Sequence, residues 1–256
     1  MNDRVAVVLA AGKGTRMGSD LPKVLVPVLG RPMIEYVLKA LDKAGVTRKI
    51  VVVGHQADLV REQLATWPGV EFVEQTEQLG TGHAVMVCRE ALTSHTGGVM
   101  VVAGDSPLVQ TESLAGLWDR FQQSKAEPQG PFACLLGTLI HEDPTGLGRI
   151  VRDAEGAFQE IVEHKDATPE QLKIDEVNMS TYLFDCPQLL TALEQLSCDN
   201  RQNEYYLTDC PAILLGHGKR VDALPILKPC EAYSINSPEH LREAERVMGD
   251  LGYTAP

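Results

Sequence analysis

Residues Val5–Leu9 are an unbroken apolar run with β-branched members, and they pass directly into Ala10-Ala11-Gly12-Lys13-Gly14-Thr15-Arg16-Met17, with Pro22-Lys23 close behind. A short continuous apolar run is the pattern of a strand buried on both faces of a parallel sheet. Such a strand delivers its loop to the carboxyl edge. Ala10, Ala11, Gly12 and Gly14 leave little side chain between backbone and ligand, so main-chain N–H groups can point at phosphate oxygens. Arg16 and Lys23 add two mobile cations. This suits a triphosphate better than a dinucleotide: a Rossmann fingerprint wants Gly at position 17, which is Met, and the pattern G-x-x-x-x-G-K-[ST] is absent.

The pattern downstream alternates. Helices are expected at Met33 to Ala44, Ala57 to Ala65 and Gly82 to Ala91, and strands at Ile50 to Val53, Glu71 to Val73 and Gly98 to Ala103. This β-α-β-α order predicts an α/β fold, a Rossmann-like, doubly wound, mostly parallel sheet with right-handed crossovers. Ligands sit outside the carboxyl ends of such strands. The loops after Leu9, Val73 and Ala103 are therefore expected to meet. From about Phe132 the texture changes to strands and turns (Phe132 to Thr138, Ile150 to Arg152, Phe158 to Glu163, Glu176 to Phe184), read as a β-rich lobe over the site. Helices resume at Pro187 to Gln195, Tyr205 to Leu215 and Pro238 to Met248. Residues 126–131 read as a surface turn, so 1–256 is expected to be one domain, with residues 1–131 holding the nucleotide.

A formal charge of −12 argues against nucleic-acid and membrane partners, since no basic stripe offers counterion release. An anionic ligand must then be met locally, by Arg4, Lys13, Arg16, Lys23 and a divalent metal. No apolar stretch could span a bilayer and Met1-Asn2-Asp3 leads straight into the first strand, which makes the cytoplasm the default location. The six cysteines are scattered without C-x-x-C or zinc spacing, as expected of buried reduced thiols.

Residues 9–17 with Pro22-Lys23 resemble the signature of the sugar-1-phosphate nucleotidyltransferases, and most of all the uridylyltransferase domain of the bacterial bifunctional N-acetylglucosamine-1-phosphate enzymes. Further runs agree in order: 75–84 (QTEQLGTGHA), Gly104-Asp105, 143–150 (DPTGLGRI), 161–167 (IVEHKDA) and 204–209 (EYYLTD). The resemblance covers nearly the whole chain. It implies an in-line displacement at the α-phosphorus of UTP by a sugar 1-phosphate, with pyrophosphate leaving, a reaction that needs positioning and charge neutralisation rather than a protein nucleophile.

Within that expectation Lys23 balances charge around the transferring phosphate and Arg16 stabilises the departing pyrophosphate; their bland alternatives are a solvated lysine and a salt bridge to Asp20. Leu9, Ala10, Ala11, Gly12, Gly14, Thr15, Gln75, Gly80 and Thr81 are expected to hold the nucleotide. A Gln alone does not separate uracil from cytosine, because its amide can flip, so base choice is assigned to fixed main-chain groups. Asp105 closes a buried strand and is well placed for Mg²⁺, which commonly takes one or two protein oxygens. The resemblance supplies Asn236 as the second ligand; a turn-former and a helix cap are the alternatives for the pair. It also implies Gly104, Gly148, Glu163 and Asn178 as the sugar-binding set in residues 132–256 and just before, with Glu163 otherwise free to pair with Lys165.

Two departures fall on the sugar side: Ala103 stands where the family has an aromatic residue, and Asn178-Met179-Ser180 where it has Asn-(Thr/Ser)-Gly. No hexapeptide repeats follow, so the acetyltransferase β-helix of the two-domain enzymes is not expected. Glucose 1-phosphate, or cytidylyl or guanylyl transfer, remain open as variants of the reaction. A non-catalytic nucleotide-sugar sensor is disfavoured, since it would not need Arg16, Lys23, Asp105 and Asn236 together.

Overall fold

The computed structural model describes residues 4–14 and 17–254. Strand β1 (Val5–Leu9) lies inside the sheet with a parallel neighbour on each side. A small hairpin, β2 (Pro27–Val28) and β3 (Arg31–Pro32), leads into helix α1 (Met33–Lys43). Strand β4 (Arg48–Val53), helix α2 (Ala57–Gln63), strand β5 (Val70–Glu74), helices α3 (Thr81–Met86) and α4 (Arg89–Leu92) and strand β6 (Gly98–Ala103) follow in the expected alternation. The helix expected over 82–91 is two, because the turn tightens at Cys88, whose N–H donates to the Val85 carbonyl three residues back (3.0 Å).

Within residues 106–125, for which no element is expected, Thr111–Ser124 is a 14-residue helix, α5. Its buried Leu114, Leu117, Trp118 and Phe121 have helical spacing, so the signal was there. Strands β7 (Cys134–Ile140), β8 (Gly148–Arg152), β9 (Phe158–Val162) and β10 (Glu176–Asp185) make the β-rich stretch. Helices α6 (Cys186–Leu193) and α7 (Cys210–Gly216), an unanticipated strand β11 (Val221–Leu224) and helix α8 (Pro238–Asp250) complete the chain.

The sheet runs β11-β7-β10-β6-β1-β4-β5. Strands β5, β4, β1 and β6 are parallel, β10 is antiparallel to both β6 and β7, and β11 is parallel to β7. Six of these seven strands therefore share one direction, and β10 alone is reversed. The hairpin β8–β9 attaches to the first residues of β10.

Alternate residues of the parallel strands enter two different cores. Val5, Val7, Ile50, Val52, Val99 and Val101 pack with α3, α6 and α7 on one face. Ala6, Val8, Val51, Val53, Met100 and Val102 pack with α1, α2 and α5 on the other. Double burial is why the strand sequences are apolar throughout rather than alternating. A third cluster joins Val28, Leu108, Ile235, Ala244 and Met248, tying the hairpin and α8 to the loops at the carboxyl edge. Cys88, Cys134, Cys186 and Cys210 are buried free thiols as expected, whereas Cys198 is exposed and Cys230 half-buried. Among the described residues no helix is long and apolar enough to cross a membrane.

Candidate active site

A cleft of about 540 Å³ opens at the carboxyl edge. Leu9 and Ala103 are register partners at the ends of β1 and β6, and both line it. The loop after Leu9 is anchored at several points. Ala10 N–H donates to the Val52 carbonyl (2.9 Å), Gly104 N–H donates to the Leu9 carbonyl (2.9 Å), and the Ala11 carbonyl accepts from the Gln78 side chain (2.8 Å). Ala11, Gly12 and Gly14 line the cleft, while Ala10 is buried and Gly104 packs behind the wall. Thr15 and Arg16 lie outside the described residues.

Gly14 has a positive φ of +62°, and a Cβ there would stand 2.6 Å from the Lys23 Cβ. Only glycine lets the loop and Lys23 come this close. Lys23 follows Pro22 and opens a single 3₁₀ turn closed by Leu25 N–H donating to the Pro22 carbonyl (2.8 Å). Its ammonium donates to the Asp105 carboxylate and to Asn236 Oδ1 (2.6 Å). Two observations place Asn236: Ile235 N–H donates to the Asp105 carbonyl (3.3 Å), and Asn236 Nδ2 donates to Ser234 Oγ (3.1 Å), which turns Oδ1 toward Lys23. Three residues distant in sequence thus meet at one point. Ser237, next along, caps α8 by accepting from His240 N–H (3.3 Å). The cap that was the alternative role for Asn236 therefore belongs to its neighbour.

Arg4 does not join this set. It precedes β1 at the opposite edge of the sheet, where it donates to the Ala44 carbonyl (2.7 Å) and lies over the Trp118 ring. Lys13 lines an adjacent cleft with His55, Gln56 and Glu74.

Gln75 is 4 % exposed, its N–H donating to the Val53 carbonyl (2.8 Å) at the end of β4. Its Nε2 donates to the Gly80 carbonyl (3.1 Å) and lies 3.1 Å from His83 Nδ1. Because a carbonyl can only accept, the amide does not flip freely, contrary to the sequence reading. The segment 204–209 holds this corner in place. Tyr205 N–H donates to the Leu79 carbonyl (2.8 Å), Gly82 N–H to the Tyr205 carbonyl (2.7 Å) and Leu207 N–H to Thr81 Oγ1 (3.1 Å). Residues 205–206, expected in a helix, are kept extended by this clamp, and α7 starts only at Cys210. Gly80 and Thr81 line the cleft.

On the far side Asn178 lines the cleft, brought to the carboxyl edge because its strand is reversed. Its β8 partner is Gly148, which lies just behind the wall with Leu147 in front. Glu163 does not line the cleft: it is half-buried beside it and accepts from Thr208 Oγ1 (3.1 Å), not from Lys165. Burial pushes the Glu163 carboxyl above its ordinary range. Gln78, Ser106, Leu147, Glu204 and Ser234 also line the cleft and were not singled out from sequence. Gln78, Leu147 and Glu204 lie within the runs 75–84, 143–150 and 204–209, while Ser106 and Ser234 stand beside Asp105 and Asn236 in sequence.

Among the described residues no group of three or more His, Cys, Asp or Glu side chains could hold a metal on its own. The pair Asp105 and Asn236 offers one carboxylate and one amide oxygen, a hard-donor set that fits a divalent cation completing its shell with phosphates and water.

The model of the MobA-like NTP transferase domain matches residues 6–138. The chain is 44% identical over 246 residues to the bifunctional protein GlmU of an Exiguobacterium species, covering 96% of this chain and 53% of that protein. It is 44% identical over 248 residues to GlmU of Listeria monocytogenes serotype 4b, with 97% and 52% covered. The chain thus spans about half the length of the curated relatives it matches. Among solved structures, UDP-glucose pyrophosphorylase complexed with UDP-glucose superposes with a TM-score of 0.76 at 17% identity, covering 97% of this chain and 99% of that one. An apo form of UDP-glucose pyrophosphorylase gives 0.77 at 18%, with 98% and 100% covered. These likenesses establish the Rossmann-like, mostly parallel nucleotidyltransferase fold.

Proposed function

The chain belongs to the MobA-like NTP transferase family, and from that premise we propose that its cleft joins UTP to N-acetylglucosamine 1-phosphate, forming UDP-N-acetylglucosamine and pyrophosphate. The observation that carries this is Lys23 set between Asp105 and Asn236 beneath the glycine-rich loop. A binding-only pocket has no use for such a grouping of charge. The acceptor rests on the sequence-wide motif agreement and on the identity to the bifunctional GlmU proteins.

In the proposed reaction an oxygen of the sugar phosphate attacks the α-phosphorus in line, and the bond to pyrophosphate breaks. The loop N–H groups of residues 11–14 hold the triphosphate. Lys23 shields the negative charge that otherwise keeps acceptor and donor phosphates apart, and its ion pair fixes where that charge stands. Asp105 and Asn236 would hold a divalent cation, Mg²⁺ by the hardness of their oxygens. When bound, that ion neutralises phosphate charge. Arg16 would accompany the pyrophosphate as it leaves. Gln75, with its amide orientation set by Gly80, presents its atoms to the base in a fixed order, which a freely flipping amide could not.

Gly104, Gly148, Glu163 and Asn178 would shape the acceptor site, Asn178 in direct contact and the others from behind the wall. Ala103 leaves that wall without the aromatic residue usual in the family. A missing apolar contact changes discrimination by only about 1–3 kcal/mol, whereas unpaired hydrogen-bonding groups cost far more. N-acetylglucosamine 1-phosphate is therefore expected to remain preferred, with looser rejection of glucose 1-phosphate.

Pyrophosphate release from four nucleoside triphosphates against a panel of sugar 1-phosphates, with and without chelator, tests the reading. UTP with N-acetylglucosamine 1-phosphate is expected to give the highest kcat/KM, and chelation to abolish it. A higher value for glucose 1-phosphate would overturn the acceptor, and no release with any pair would overturn the enzyme.

A further inference from the structure

Strand β10 is interrupted at the cleft. Its register with β7 shifts between Asn178 and Thr181, and Ser180 within the bulge has a φ of +52°, in the left-handed region that disfavours a residue with a Cβ. The bulge turns the Ser180 N–H back on Asn178 Oδ1 (3.2 Å). A backbone N–H can only donate, so the amide atom facing it is the oxygen, and Nδ2 must face the other way. There it donates to the hydroxyl of Tyr182 (2.7 Å), a side chain 1 % exposed that stacks on Phe184 in the core.

An amide has two N–H groups and two carbonyl lone pairs. Tyr182 takes one N–H and Ser180 one lone pair, which leaves a single donor and a single acceptor in a set order on the cleft wall. Neither partner has chemistry of its own for the reaction, since the phenol is buried and pushed far toward its neutral form.

We infer that Tyr182 is a positioning residue for acceptor recognition: its hydroxyl, opposite the Ser180 N–H, locks the Asn178 amide in one orientation, and the acceptor sugar reads that orientation. The inference rests on the proposed reading of this wall as the acceptor side. It gives the reversed strand a role that reaches the ligand from inside the core.

The test compares wild type, Tyr182→Phe and Phe184→Leu in pyrophosphate release, with KM measured separately for N-acetylglucosamine 1-phosphate and for UTP. Tyr182→Phe keeps the ring and removes one buried hydrogen bond, so it is expected to raise the acceptor KM about tenfold while leaving the UTP KM unchanged. Phe184→Leu disturbs the same stack without touching the hydroxyl. It is expected to lower Tm by as much or more, with the ratio of the two KM values unmoved. An unchanged ratio in Tyr182→Phe, or the same shift in both variants, would overturn the inference and leave the uridylyltransferase reading standing. No turnover in the wild type would remove both.

Discussion

The two walls of the cleft hold their polar groups in opposite ways. On the nucleotide side Lys23, Asp105 and Asn236 satisfy one another across a partly open point, so their partners can be exchanged when phosphates arrive. On the proposed acceptor side Asn178, Tyr182, Ser180, Glu163 and Thr208 are bound into buried and half-buried hydrogen bonds that a ligand would add to rather than replace. In the proposed reaction, exchangeable charge would meet the changing charge of phosphoryl transfer, and a fixed network would meet a neutral sugar whose hydroxyls must be told apart.

If that contrast holds, removing a charge should cost rate and removing a network member should cost selectivity. The largest effect is expected for Asp105→Ala, a fall in kcat on the order of 10³-fold or more, since in the proposed reaction this carboxylate would hold the divalent cation. Its circular dichroism should match wild type. Near-normal turnover in the folded variant would break the contrast on its stronger side.

Lys23→Ala is expected to lower kcat by roughly 10²- to 10³-fold, the scale for deleting one preorganised charge. An effect confined to the KM for UTP would reduce Lys23 to a binding group. Gly14→Ala probes the same point indirectly, because the new Cβ would stand 2.6 Å from the Lys23 Cβ on a backbone with φ +62°. A fall in kcat of about tenfold and a stability loss of about 1–2 kcal/mol are expected, the latter the usual cost of a left-handed non-glycine residue. A stability loss with kcat unchanged would show that the loop does not set the position of Lys23.

The smallest effect belongs to the acceptor side and appears in stability alone. Burial, with Glu163, Asp166 and Glu160 nearby, pushes the Asp209 carboxyl from an ordinary 3.8 up to about 6. Between those values the folded chain binds more protons than the unfolded one, so stability should fall as pH rises from about 4 to about 6 and be flat above, as far as this group is concerned. Asp209→Asn is accordingly expected to stabilise by about 1 kcal/mol at pH 7.5, allowing for solvent screening, and by nothing at pH 4. Urea unfolding at both pH values checks the sign.

Legibility followed the same division. Leu9, Ala11, Gly12, Gly14, Lys23, Gln75, Gly80, Thr81 and Asp105 lie in contiguous runs, because each parallel strand hands its next residues to the same edge, and these line the cleft, while Ala10 is buried and Lys13 faces the adjacent one. Asn178 was reached by resemblance alone. Its strand begins at the edge where the others end, a reversal that no local pattern announces. Glu163 and Gly148 were named with it, yet they lie behind the wall, since a motif match carries no depth. Arg4 was misplaced for the converse reason: five residues of strand separate it from the loop it was grouped with, and that puts it at the other edge. Helix α5 carries a clear helical spacing in Leu114, Leu117, Trp118 and Phe121.

The amino-acid sequence by itself determined the α/β alternation, the doubly buried strands and the phosphate-facing loop, because these depend on hydrophobic period and on residues lacking side chains, both local properties. Tertiary structure decided which polar atoms face which. The Gln75 amide is oriented by a carbonyl five residues on, the Asn178 amide by a strained bulge and a buried phenol, and the charge of Lys23 by partners 82 and 213 residues away. A hydrogen bond depends on direction within a few tenths of an ångström, and only the packed chain sets that.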